Sequence, residues 1–257
     1  MERKNFIVEK LKVRVFDTRA EMGKNAAIDA AESINRIIQT KGEATVVFAA
    51  APSQNELLEN LKLAEVDWKK VRAFHMDEYI GLPSDHPAGF GNFLDRAIFK
   101  SLPFKECFYI RDGGPDAEGI ISRYTQLLEK YPPDIVCQGI GENGHLAFND
   151  PPVADFNDPF PVKVVELDDI CRTQQVNDGC FPCFDDVPKT AVTLTISALL
   201  KIPLQFTVVP GIRKADAVLK TLSGPITAEC PASILRKHGN CVLYLDSDSA
   251  KKIENLF

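Results

Sequence analysis

Apolar positions along this chain alternate between helical spacing and short unbroken runs. Thr18-Arg-Ala-Glu21 is a capping box, in which a side-chain hydroxyl and a carboxylate satisfy the free N–H groups of a helix start. Met22, Ala26, Ala27, Ala30, Ile34, Ile37 and Ile38 follow at helical spacing until Gly42 supplies a stop. Thr45-Val-Val-Phe-Ala-Ala50 then reads as a strand buried on both faces. Ser53-Gln-Asn-Glu56 reads as a second capping box, opening a helix that carries Leu57, Leu58 and Leu61.

The alternation persists downstream. The pattern predicts strands over Val71–Met76, Cys107–Ile110, Asp134–Gly139, Lys163–Leu167, Leu204–Val209 and Cys241–Leu245. It predicts helices over Gly91–Phe99, Ala117–Tyr131, Arg213–Leu222, Ala232–Lys237 and Ser249–Leu256. Strands separated by helices imply right-handed crossovers, hence an α/β fold: a doubly wound, mainly parallel, Rossmann-like sheet with helices on both faces. No linker or internal repeat divides the chain, so residues 1–257 are expected to form a single domain, with the Pro-rich stretch Pro151–Pro161 a long functional loop. Ligands of such sheets bind beyond the carboxyl ends of the strands, where strand order reverses.

Composition narrows the class of function. With 30 Lys+Arg against 36 Asp+Glu among 257 residues, the formal charge is −6, against the basic footprint that nucleic-acid binding leaves. No apolar run approaches the roughly 20 residues of a membrane span, and the first residues lack a signal sequence. Seven cysteines, an odd and scattered set, fit reduced thiols in a cytoplasmic protein. Cys180-Phe-Pro-Cys183 has metal or redox spacing but no second ligand pair, so no metal is expected and these cysteines read as incidental.

Three strand ends carry unusual chemistry. At Phe74-His75-Met76-Asp77-Glu78-Tyr79, two carboxylates follow a buried strand directly, where partial desolvation raises a carboxyl toward the range of a general base. His75 reads as a packed or hydrogen-bonded strand residue rather than a metal ligand. Gly139-Ile-Gly-Glu-Asn-Gly144-His145-Leu-Ala-Phe-Asn-Asp150-Pro-Pro152 contains a formal G-x-G-x-x-G. It lies mid-chain and meets two prolines before a full helix, so no dinucleotide cofactor is expected. Its glycines are expected to admit a small ligand, with Asn143, His145 and Asp150 forming an oriented imidazole. Ala50-Ala-Pro-Ser53-Gln54 and Pro210-Gly-Ile-Arg-Lys214 each join a strand to a helix start. Singly they are ordinary capped helices; together they suggest an anion site.

The segments Phe-His-Met-Asp-Glu-Tyr-Ile-Gly-Leu-Pro and Gly-Ile-Gly-Glu-Asn-Gly-His-Leu-Ala-Phe-Asn-Asp-Pro resemble the two signatures of the glucosamine-6-phosphate deaminase/isomerase family. The resemblance runs at least from Thr45 to Leu245 and implies conversion of an amino-sugar phosphate to a ketose phosphate and ammonia, without cofactor or required metal. It places the proton-transfer aspartate at Asp77, the ring-opening histidine at His145, its orienting carboxylate at Asp150 and the phosphate lysine at Lys214. Ser53, Gln54, Glu78 and Gly144 join as binding residues, with Arg172 the nearest candidate for a phosphate arginine. Asn143 stands where the family usually has aspartate, so Asn143→Asp is expected to hold or raise the rate. Family members are often homo-oligomers, although no stretch here fixes a subunit count. Two other readings share these residues: a 6-phosphogluconolactonase-like hydrolase, and a sugar-phosphate sensor without turnover.

Overall fold

The computed structural model describes residues 1–113 and 116–256. In chain order its elements are β1 (Glu2–Val8), β2 (Leu11–Phe16), α1 (Arg19–Lys41), β3 (Ala44–Phe48), α2 (Asn55–Lys62), β4 (Val71–His75), β5 (Asp77–Tyr79), α3 (Phe90–Leu94) and β6 (Glu106–Phe108). They continue with α4 (Ala117–Lys130), β7 (Ile135–Gln138), β8 (Val162–Glu166), α5 (Asp169–Asn177), β9 (Thr190–Leu194), α6 (Ile196–Leu200), β10 (Leu204–Val209), α7 (Ala215–Ser223) and β11 (Cys241–Asp246).

Eight strands form the main sheet in the order β1-β2-β11-β10-β7-β3-β4-β6. Every neighbouring pair from β2 to β6 is parallel, and only the β1–β2 hairpin is antiparallel. The unbroken apolar runs follow from coverage on both faces. Along β3, Val46 and Phe48 enter one core with Met22, Ala30 and Ile34 of α1 and the leucines of α2. Val47, between them, enters the opposite core with Tyr124 of α4 and Val218 of α7.

Thr18 caps α1 through Glu21 N at 3.2 Å, and Gly42 closes it in the left-handed region, at φ +85°. The second capping box does not form. Pro52 starts a short 3-10 turn over Pro52–Gln54 without a side-chain cap, and Glu56 instead pairs with Arg19. The helix expected over Gly91–Phe99 begins at Phe90 and widens into a π turn at Asp95–Phe99. Pro231–Lys237 winds as 3-10, and the C-terminal segment expected to be helical makes successive turns.

The largest departure is a second sheet, β5-β9-β8, antiparallel throughout. β8, expected as part of the parallel sheet, belongs here. At Met76 the chain leaves one sheet for the other: His75 pairs with Phe48 of β3, while Asp77 pairs with Thr193 of β9. The Pro-rich loop before β8 serves this small sheet. Lys163 Nζ bonds Val153 O at 2.7 Å, and Ser197 Oγ bonds Asp158 O at 2.7 Å. The loop does not border the pocket described next, which corrects its expected functional role.

Candidate active site

After β6 the chain crosses back to lay β7 on the other side of β3, so strand order reverses between them. A pocket opens there, at the carboxyl ends of β3, β4, β7 and β10. Asp77 comes from the β4–β5 junction, Ser53 and Gln54 from the loop after β3, His145 from the loop after β7, and Lys214 from the turn after β10. The sequence-predicted residues that meet in this pocket are these five.

Asp77 is 6% exposed, and its carboxylate has no hydrogen-bond or ion-pair partner among the described residues. Burial, then the neighbouring Glu78, pushes its carboxyl well above the usual carboxylate range. His75 fixes the backbone beneath it: Nδ1 donates to Asp77 O at 2.9 Å, and Nε2 accepts from Ile110 N at 3.0 Å. That tautomer is neutral, and burial lowers the ring's proton affinity in agreement. His75 is thus the hydrogen-bonded strand residue that the sequence suggested.

His145 Nδ1 lies 2.8 Å from Asp150 Oδ1. Asp150 is fully buried; burial alone would raise its carboxyl, but His145, Asn143 and the Asp168 N–H outweigh that and hold it below the usual range. Asn143 Nδ2 donates to Asp150 at 2.9 Å, and Asn143 Oδ1 accepts from His145 N at 3.0 Å. The imidazole is locked from several sides. A Cβ at Gly141 would sit 2.2 Å from its Cε1, so residue 141 must lack a side chain for the ring to occupy this place. At Gly139 a Cβ would meet Gln54 Nε2 at 3.0 Å. These glycines admit protein side chains against the backbone, and both also line the pocket.

Lys214 is 6% exposed, and its ammonium has no hydrogen-bond or ion-pair partner among the described residues. Burial lowers its proton affinity, countered in part by Asp178 and Glu142. Ser53 Oγ accepts from Gln54 Nε2 at 3.2 Å, which leaves its hydroxyl hydrogen free to donate. Ser53 and Lys214 also border a second opening flanked by Arg19 and Arg213, so this end of the pocket reaches solvent.

Other sequence candidates serve the scaffold. Glu78 accepts from Phe90 N and Gly91 N, each at 2.9 Å, and so secures the start of α3. Gly144 turns the chain at φ +89° against Cys230. Arg172 spends its guanidinium on Val187 O (2.9 Å), Phe184 O (3.0 Å) and the face of Phe184, and does not line the pocket. The sequence reading missed two wall residues of α5, Gln174 and Gln175. Gln174 Oε1 accepts from Glu142 N at 2.8 Å, bracing the His145 loop. Gln175 is buried with no side-chain hydrogen bond among the described residues. The available signal was Asp168 as a cap for the polar run that follows.

His145, Asp150 and Cys171 bring one ligand-type atom each within 4.8 Å of one another. Asp150 already pairs with the imidazole, and burial, with the nearby Asp150 and Asp168 charges, holds Cys171 as a neutral thiol. The trio fits a hydrogen-bonded support for the ring better than a set of metal ligands.

Residues 17–243 match the family model described as glucosamine-6-phosphate isomerases/6-phosphogluconolactonase. A glucosamine-6-phosphate deaminase of Bacillus cereus is 32% identical over 218 residues, covering 84% of this chain and 80% of the relative. One from Lactobacillus delbrueckii subsp. bulgaricus is 30% identical over 245 residues, covering 95% and 100%. Among solved structures, a monomeric glucosamine-6-phosphate deaminase superposes with a TM-score of 0.85 at 29% identity, covering 93% of this chain and 99% of its own. A 6-phosphogluconolactonase from Shewanella baltica superposes at 0.76 and 15% identity, covering 94% and 99%, a likeness of fold alone.

Proposed function

Because the chain belongs to the glucosamine-6-phosphate isomerase/6-phosphogluconolactonase family, we propose that it is an amino-sugar-phosphate deaminase/isomerase. Its substrate is glucosamine 6-phosphate or a close epimer such as galactosamine 6-phosphate, and its products are a ketohexose 6-phosphate and ammonia. One observation supports this above the others: a buried carboxylate without an internal partner shares a pocket with a buried ammonium without one. The lysine suits a phosphate, and the carboxylate suits proton abstraction next to a carbonyl.

In this reading Lys214 and Ser53 hold the phosphate, which anchors the sugar for reaction. His145 moves the proton from the C1 hydroxyl to the ring oxygen as the C1–O5 bond breaks. Asp77 then takes the C2 proton and returns it to C1 through an enediol-like, nitrogen-bearing intermediate, while a second proton passes from the amino nitrogen to the C1 oxygen. The resulting C2 imine adds water and releases ammonia, so substrate and water balance ketose phosphate and ammonia. The site elements run from β3 to α7, and the reading treats residues 1–257 as one catalytic domain. No helix among the described residues is long and apolar enough to cross a membrane; the cytoplasmic location in this reading rests on the resemblance to the deaminases.

The test supplies glucosamine 6-phosphate, galactosamine 6-phosphate and 6-phosphogluconolactone separately, following ammonia, ketose phosphate and acid. Ammonia and ketose phosphate in equal amounts from an amino sugar are expected. Acid release from the lactone alone would move the protein to the hydrolase branch, and tight binding without turnover would make it a sensor.

The pH profile carries a second expectation. Asp77 must be ionised to act, and its proton affinity is raised, so kcat/KM climbs at a pH above the ordinary carboxylate range. Lys214 must be charged to hold phosphate, and its proton affinity is lowered, so kcat/KM falls below the ordinary lysine range. The bell is therefore narrower than unperturbed groups would give. An acid limb at ordinary carboxylate pH, measured on free enzyme, would contradict the role of Asp77.

A further inference from the structure

Asn143 is bound in a way that only an amide can satisfy. Its Oδ1 accepts from His145 N at 3.0 Å, which fixes the orientation and turns Nδ2 toward the other side. There Nδ2 lies between two carboxylates, 2.9 Å from Asp150 Oδ1 and 3.0 Å from Asp168 Oδ2. Each of its hydrogens serves one acid. Asp168 uses its other oxygen to cap α5, accepting from Cys171 N at 2.6 Å, and its own N–H reaches Asp150 Oδ2 at 3.3 Å. The two acids are therefore linked twice, once through the Asn143 amide and once through the Asp168 backbone. Asp150 in turn holds His145 Nδ1 at 2.8 Å.

We propose that Asp168 is a positioning residue for His145, acting through Asn143, whose amide is the neutral bridge that lets two carboxylates share one imidazole. The inference rests on His145 being the proton-shuttling group of the proposed function. Neither Asn143 nor Asp168 needs to touch substrate. Their task is to hold the Asp150–His145 pair in register and add a second negative charge near the ring that ring opening protonates and deprotonates.

This reverses the expectation from sequence that aspartate at 143 would be neutral or beneficial. Asn143→Asp removes both donors and leaves three carboxylates with one imidazole between them. Asparagine is required at 143 for as long as 168 is aspartate. Exchanging the two restores the count: with Asp168→Asn added, the new amide at 168 keeps the helix cap, since asparagine caps as well as aspartate, and donates toward residue 143.

A double-mutant cycle tests the pair. Asn143→Asp is expected to lower kcat by roughly a hundredfold with KM within about threefold, since acid–base steps are worth about 10²–10⁴. Asn143→Asp/Asp168→Asn is expected to recover about tenfold of that loss or more. Asp168→Asn alone, its cap intact, is expected to fold normally and lose about tenfold in kcat, so the proposal stays testable even where Asn143→Asp misfolds. Wild-type kcat in either single variant, or a double variant no better than Asn143→Asp, would overturn it. The same cycle is read without substrate in the ring-nitrogen resonances of His145, assigned by their loss in His145→Gln. A protein that turns nothing over would reject the proposed function alone. The coupling would then stand if Asn143→Asp shifts those resonances and Asp168→Asn returns them toward wild type, and would fall if they do not move.

Discussion

Asp77→Asn is expected to cut kcat by about 10³-fold while leaving KM within a small factor, because asparagine keeps the shape and polarity of the pocket wall but cannot accept the C2 proton. The same variant is expected to be more stable than the wild type at neutral pH. The folded-state proton affinity of Asp77 lies above its unfolded value near 3.8, so ionisation costs stability progressively as pH rises through the folded-state value. Below the unfolded value both states are protonated and the cost disappears. Asparagine removes a buried charge without a partner, for a gain of order 1 kcal/mol, or about 2–4 °C in Tm for a chain of this size. Rate and melting temperature measured on one preparation decide the matter. Near-normal turnover would remove Asp77 as the base, and a lowered melting temperature at pH 7 would mean that its carboxylate has an unseen partner. The opposed signs are what a site gains from a group whose charge the fold does not satisfy.

Lys214→Gln is expected to raise KM by about 10–100-fold with a smaller fall in kcat, the loss of one charge-assisted contact of about 1.5–3 kcal/mol. Competition by inorganic phosphate is expected to weaken in parallel. Asp178 and Glu142 keep their ion pairs with Arg213, at 3.2 and 3.3 Å, so glutamine here removes one cation from the phosphate end without leaving those acids unpaired. In the wild type, phosphate supplies the missing partner and raises the lysine's proton affinity, so binding at alkaline pH takes up protons. A KM unchanged within twofold would place the phosphate elsewhere, the solvent-reaching opening beside Arg213 being the nearest place to look.

The parallel sheet was legible because both its faces are covered. Val46–Ala50 is continuously apolar for that reason, Leu204–Val209 is apolar but for the buried Gln205 and Thr207, and Thr18–Glu21 with Gly42 bracket α1 by purely local chemistry. The small antiparallel sheet was not. Val162–Glu166 has one solvated face and a pattern that does not name its partner, and β5 is too short to show any period. The failed box at Ser53 has a local cause, since Pro52 imposes its own turn before the helix. Asp77 and His145 stood out as polar groups at the ends of buried strands. Arg172 stood out by its charge, but charge in sequence does not reveal a guanidinium already committed to two carbonyls and a ring. Asp168 was invisible as a partner of Asn143, because that link depends on how α5 docks against the loop after β7.

The junction at Met76 has a consequence for how the protein is made. Strands β3, β4 and β6 are all synthesised early, and β4 pairs with both of the others, so three of the seven parallel strands can close while the rest of the chain is still to be added. Asp77 follows β4 within that stretch of chain, but its strand partner is Thr193, which emerges from the ribosome much later. Until β9 is made, β5, which carries the carboxylate on which turnover depends, has no strand to pair with. The active centre is therefore among the last parts of the molecule to exist during synthesis, and a chain that stalls before β9 would carry a well-formed partial sheet with no enzyme on it.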